Sequence, residues 1–159
     1  MVYQNYGVVN TCSIILSFLE ASGRVIGRVV DLQPTSPLTA QSDLSLALAM
    51  PVATELVVSV TEPSHNPYYT LVEEQPDGHL GLSKPSSWVR RQDAPHVWGL
   101  NGAIYVWRRD ALQRAATQGF WSVKAIACPM PRERSVDIDD IFDFEFAQWL
   151  YLRHKEANP

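Results

Sequence analysis

The sequence predicts an α/β fold, a mainly parallel mixed sheet covered by helices and carrying a β-hairpin extension. Three observations predict it. Helix-like and strand-like segments alternate with short joints, the pattern produced by right-handed crossovers between neighbouring strands. The 159 residues suit one domain, 1–159, with enough core to fold without disulfides. Hydrophobic residues at 46% and charged residues at 19% give a globular balance, not that of a disordered chain.

Each element has its own reason. Thr11 can cap a helix to about Ser22, with Cys12, Ile15, Leu16 and Leu19 on one face and Gly23 as its left-handed stop. The β-rich run 25–32 ends at Gln33-Pro34, a helix fits Ala40 to Met50, and 55–61 reads as a strand. From Glu62 to Leu100 the chain becomes rich in Pro, Tyr and Trp. There 69–73 and 79–82 form a hairpin across the Pro-Asp-Gly turn at 76–78. A strand at 103–108, a helix at 110–118 and a strand at 121–127 follow. The last helix starts near Asp139–Asp140, with Phe142, Phe146, Trp149 and Leu150 as its core stripe.

Thirteen Lys+Arg against seventeen Asp+Glu leave a net charge of −4, which argues against DNA, RNA or an acidic membrane as partner. Cys12 and Cys128 make neither a disulfide framework nor a four-thiolate zinc site, and two reduced thiols suit a cytoplasmic protein. No apolar run is long enough to span a membrane, and no basic segment followed by an apolar one opens the chain as a secretory signal would. The four histidines are scattered and make no ligand set.

Two segments carry polar groups where chemistry could use them. Leu32-Gln-Pro-Thr-Ser-Pro-Leu38 lies between a strand and a helix, where open α/β sheets present loops to ligands. Gln33, Thr35 and Ser36 supply donors and acceptors there; a proline-stiffened connection with capping hydroxyls explains the same residues. In the second, Asp137 and Asp139 are two residues apart, so in extended chain both face one way and call for a cation, Mg²⁺ with phosphate being the usual one. Asp140 and Asp143 suit the cap of the last helix, and acidic capping is the other account of the whole cluster.

LQPTSPL (32–38), Arg90-Arg-Gln92, NGAIY within 100–106 and Ser135-Val-Asp-Ile-Asp139 occur in an order and spacing that resemble the acylneuraminate cytidylyltransferases, the CMP-sialic acid synthetases. The resemblance covers about Thr11 to Trp149. It implies a Rossmann-like nucleotidyltransferase fold of the nucleotide-diphospho-sugar transferase type, and transfer of CMP from CTP to a nonulosonic (sialic-type) sugar acid with Mg²⁺. By the same resemblance Asp137 and Asp139 are the catalytic, metal-holding pair. Gln33, Arg91, Gln92 and Asn101 are substrate-binding, with a guanidinium for the sugar carboxylate. The resemblance also implies that residues 62–100 are a dimerisation and sugar-side extension of a homodimer, with Tyr68, Tyr69 and Trp88 expected at the interface; the alternative is that this segment folds back over its own sheet.

The departures from the family concern the nucleotide. Its basic, glycine-containing loop after a first strand has no counterpart here, so the resemblance implies an N-terminally truncated domain. Lysine occurs only at 84, 124 and 155, and Thr39 stands where the family has arginine. Without those cations the transition state loses its main stabilisation, which implies an impaired catalyst. The alternative is a non-catalytic module that binds a small molecule or a protein on the same scaffold.

Overall fold

A computed structural model describes residues 4–88 and 90–157, and the chain divides into two compact units, 1–61 together with 100–159, and 62–99. In chain order the elements are α1 (Gln4–Ala21), β1 (Arg28–Leu32), α2 (Gln41–Ala49), β2 (Leu56–Thr61), β3 (Val72–Glu74), β4 (Leu80–Leu82), β5 (Gly99–Arg108), α3 (Arg109–Gln118), β6 (Ala125–Pro129) and α4 (Ile141–Ala157).

The first unit is built on a four-stranded sheet of order β1-β5-β2-β6. β1 and β5 are antiparallel, with Val30 opposite Val106, while β2 and β6 are parallel, with Val58 opposite Ala127. The Arg108 N–H reaches the Glu55 carbonyl, and four residues along Ser59 meets Ile104, so β5 also opposes β2. The expected mainly parallel pairing is therefore corrected. β1, β2 and β6 do run one way, as crossover helices require, but β5 is inserted against the grain between the first two. The reason is topological. The chain leaves the sheet at Thr61 and resumes it near Leu100 beside the same strand ends, so β5 can only run back.

Burial follows this sheet. β2 is buried on both faces, which explains its almost unbroken apolar run Leu56-Val-Val-Ser-Val60. On one face Val9, Cys12 and Leu16 of α1 pack with Leu56, Val58, Trp107, Leu112 and Phe120. On the other, Ala47 of α2 meets Val57, Ile104, Val106, Cys128 and Met130. Both thiols are buried and unbridged.

Several element boundaries move. α1 begins at Gln4, because Val9 extends the Cys12–Leu16 stripe upstream; Thr11 is a mid-helix surface residue and Ile15 is 52% exposed. Its stop is as read: Gly23 takes φ +83°, and the N–H groups of Gly23 and Arg24 close on the carbonyls of Glu20 and Leu19. The strand expected at 121–127 lies at 125–129, because Ser122 closes a helical turn on Gly119 through both N–H and hydroxyl. The last correction is the largest. Among the described side chains of α4 the buried one is Ala147, at 3%; of the expected core stripe Leu150 is half-buried, while Phe142, Phe146 and Trp149 are 75%, 49% and 51% exposed, so its aromatic part faces outward. Among the described residues no helix is long and apolar enough to cross a membrane.

The second unit, 62–99, holds the hairpin of β3 and β4, with Glu73 opposite Gly81. Gly78 at φ +82° makes the turn, where the N–H groups of Gln75 and Gly78 close on His79 and Gln75. The Arg91–Asp93 segment is one helical turn, held by the Asp93 N–H and carboxylate on Arg90.

Candidate active-site cleft

In an α/β sheet the carboxyl ends of co-directional strands leave loops free to face a ligand. Here the loop after β1 carries Gln33-Pro34-Thr35, the loop after β6 carries Ser135 to Asp139, and the start of β5 supplies Asn101 and Gly102. These segments line one cleft of about 800 Å³. It brings together Gln33, Asn101, Asp137 and Asp139 of the residues expected from sequence. Gln92 is exposed and belongs to the second unit with Arg91, whose side chain lies outside the described residues.

The loops are tied to each other rather than merely adjacent. The Gln33 N–H bonds the Ala103 carbonyl, and the Ile138 N–H bonds the Thr35 carbonyl at 2.9 Å. Asn101, 6% exposed, accepts from the Ser59 hydroxyl at 2.6 Å and donates to the Ser135 hydroxyl at 2.9 Å and to Met130 sulfur at 3.4 Å. Both hydrogens of its amide are thus engaged, and its direct effect is to fix where Ser135, and the acidic loop after it, begins. A second tie comes from Arg134, which gives two hydrogen bonds of 2.8 Å to the carboxylate of Asp43. Asp43 is 1% exposed and also accepts from the Ala40 N–H at the start of α2. Arg134 therefore holds its carboxyl below the usual carboxylate range against the opposing effect of burial. Neither tie is visible locally in the sequence, because Asp43 and Arg134 are 91 positions apart.

The acidic cluster splits by task. Asp140 accepts from the N–H groups of Phe142 and Asp143, and Asp143 reaches back to those of Asp139 and Asp140, a reciprocal cap on α4. Asp137 and Asp139 are left to the cleft. One oxygen of Asp137 is buried without a hydrogen-bond partner, and so is one of Asp31, a cleft residue that the sequence reading passed over. Its only signal was an acid inside the apolar strand Arg28-Val-Val-Asp-Leu32. Burial raises the Asp31 carboxyl. Burial, then the nearby Asp31 carboxylate, pushes the Cys12 thiol up to about 11. Burial, then Asp31 and Asp137, pushes Tyr105 to about 12, so both carboxylates bear on one ring. Gly102 has φ +72°, and a Cβ there would sit 3.6 Å from Asp137 Oδ2; glycine both permits the turn and keeps the space before that carboxylate open.

Among the described residues no group of three or more His, Cys, Asp or Glu is placed to hold a metal by itself. Mg²⁺ commonly takes one or two carboxylates and completes its octahedron with water and substrate phosphate, and the unpartnered oxygen of Asp137 beside Asp139 fits that lesser demand. Among the described residues, the lining of the cleft contains three aspartates and neither lysine nor arginine.

Comparison with known proteins agrees with this architecture. No family model matches the chain. It is 26% identical over 132 residues to post-translational flagellin modification protein B of Campylobacter coli, covering 82% of this chain and 54% of that protein. It is 27% identical over 103 residues to CMP-N,N'-diacetyllegionaminic acid synthase of Campylobacter jejuni, covering 65% of this chain and 42% of the relative. The chain thus spans about half the length of the curated relatives it matches. The crystal structure of 4-diphosphocytidyl-2C-methyl-D-erythritol synthase from Anaerococcus prevotii superposes with a TM-score of 0.54 at 11% identity, over 86% of this chain and 65% of that one. That likeness shows the fold, a Rossmann-like nucleotidyltransferase fold. In sequence the chain is similar to these two Campylobacter proteins, and in fold to the erythritol synthase.

Proposed function

We propose that the cleft is the sugar-side and metal-side part of a site that transfers CMP from CTP to a nonulosonic sugar acid, as in the acylneuraminate cytidylyltransferases. One observation carries this reading: the LQPTSPL, NGAIY and SVDID segments, far apart in the chain, are hydrogen-bonded together around a single cleft at the strands' carboxyl ends. The named relative that makes a CMP-linked legionaminic acid supports the substrate class. In the reaction a sugar hydroxyl oxygen bonds to the α-phosphorus of CTP, the bond to pyrophosphate breaks, and the hydroxyl proton passes to solvent or a base. Mg²⁺, when bound at Asp137 and Asp139, would supply neutralisation of phosphate charge. Gln33, which lines the cleft, would hydrogen-bond the sugar or nucleotide. Residues 62–99, with Arg91 and Gln92, would serve the sugar side as a cytoplasmic homodimer's extension; the exposed Trp88 and Leu80 of that unit support a packing role.

The chain by itself is expected to be a poor catalyst, because a cleft lined, among the described residues, by three aspartates and no cation does not grip a triphosphate. The same observation favours, as second reading, a non-catalytic module that binds a ligand on this scaffold.

Pyrophosphate release from CTP and N-acetylneuraminic acid with Mg²⁺, beside Mn²⁺ titration by calorimetry, tests both parts. We expect no turnover, and millimolar Mn²⁺ binding that disappears in Asp137→Asn/Asp139→Asn. A turnover near about 1 per second would refute the impairment. Metal binding unchanged in the double variant would refute the carboxylate role.

A further inference from the structure

The carboxyl half of α4, the turn before Ser135 and the loop from β1 to α2 line a second cavity of the first unit, about 650 Å³ in volume. Among the described residues it shares none with the cleft, and its charge is opposite. The cleft has three aspartates and no cation, whereas this cavity has Arg134, Arg153 and His154 against one acid, Glu133. Lys155 adds an ammonium beside it, 5.0 Å from the ring of the cavity residue Tyr151. In a chain of net charge −4 such a cationic lining belongs to this place and not to the surface at large.

One of these cations is held in place from behind. Arg134 gives Nε and Nη2 to the carboxylate of Asp43, and Nη1 is left without a partner among the described residues. A guanidinium fixed in this way loses little further freedom when a ligand arrives. Asp43 takes up part of its charge, so the exposed Arg153, 5.1 Å from the Trp149 ring, supplies the larger attraction. The remaining wall is largely apolar, with Pro37 and Leu38 from the loop and Leu150 and Tyr151 from α4. Concave, mainly apolar walls with a few fixed polar groups are the usual make-up of a small-molecule site.

We infer that this cavity binds a small organic anion, a phosphate or carboxylate joined to an apolar ring. The head meets the arginines and the ring lies against Leu38, Leu150 and Tyr151. The lining selects this class. A bare inorganic anion would leave the apolar wall wet and would meet mostly exposed cations, whose pairs contribute little in water. A neutral ring would forgo the charge-assisted hydrogen bonds that guanidinium groups give to phosphate and carboxylate. The site is separate from the cleft, and the inference holds whether or not the proposed transfer reaction does.

Titration of the full chain with phenyl phosphate, benzoate, inorganic phosphate and benzyl alcohol, followed by amide NMR shifts, decides it. We expect saturable shifts centred on 38–40 and 150–154, with dissociation constants of about 1–10 mM for the two ring-bearing anions. The tighter of these identifies the head as phosphate or carboxylate. Inorganic phosphate and benzyl alcohol, each lacking half of the ligand, should bind about ten-fold more weakly. Arg153→Glu, at an exposed side chain, should weaken both ring-bearing anions about five-fold or more and leave benzyl alcohol unchanged. Should that variant fail to fold, Arg153→Gln carries the same test. Asp137→Asn/Asp139→Asn should leave these shifts as they are. Shifts confined to cleft residues, benzyl alcohol bound as tightly as the anions, or phenyl phosphate bound unchanged by the Arg153 variant would each overturn the inference. So would the absence of any saturable shift up to about 50 mM.

Discussion

Replacing Arg134 by methionine would strip a buried carboxylate of its counter-ion. Asp43 is 1% exposed, and without the two 2.8 Å bonds from Arg134 its oxygens keep only the Ala40 N–H at 3.0 Å. Hydrogen bonds to a charged group contribute about 1.5–3 kcal/mol each. Deleting one member of a buried pair costs about 3–5 kcal/mol, because the other charge stays behind unpaired. The Arg134 side chain is 33% exposed, so water already weakens the pair. The expected loss is therefore about 2–4 kcal/mol at pH 7, or roughly 5–15 °C in the unfolding midpoint for a chain of this length. The pH dependence gives the charge its signature. Arg134 lowers the Asp43 carboxyl below its unfolded value, so the pair's stabilisation is complete above about pH 4 and is lost as pH falls through the lowered value. The gap between the two proteins should be steady from about pH 5 to 8 and narrow towards about pH 3. Adding Asp43→Asn to Arg134→Met should recover part of the loss, because no bare charge then remains. Urea unfolding followed by circular dichroism measures all of this. A gap below about 1 kcal/mol at pH 7, or one that does not shrink in acid, would refute the assignment of this pair as the tie between α2 and the acidic loop.

Asp31→Asn should stabilise the fold at neutral pH. The Asp31 carboxyl is raised by burial, so the native chain loses stability as pH rises through that value; the variant's advantage should open above it and vanish at lower pH, as thermal melts at several pH values would reveal. Gly102→Ala should cost about 1–2 kcal/mol, since φ is +72° there, and a urea midpoint equal to that of the unsubstituted chain would show that the turn is not required.

What the sequence determined by itself was local or periodic. The Pro-Asp-Gly turn, the Gly23 stop and the Asp140–Asp143 cap each lie within a few residues, and the structure has them where the chain alone placed them. The co-directional β1, β2 and β6 followed from their alternation with helices, and the motif segments brought Gln33, Asn101, Asp137 and Asp139 to notice before any cleft was seen. Tertiary structure decided the rest. The direction of β5 depends on where a 38-residue excursion, 62–99, returns the chain, and no local pattern encodes a return point. Asp31 became a cleft residue, and Asp43 a tether for Arg134, only through neighbours distant in sequence. α4 makes the point most clearly. Its aromatic stripe has the spacing of a core, and periodicity correctly says that those rings share one face. Which face is buried is shown by Ala147, at 3% exposure, while the rings of Phe142, Phe146 and Trp149 stay exposed. Hydrophobic spacing reports which residues share a face; only packing shows whether that face is buried.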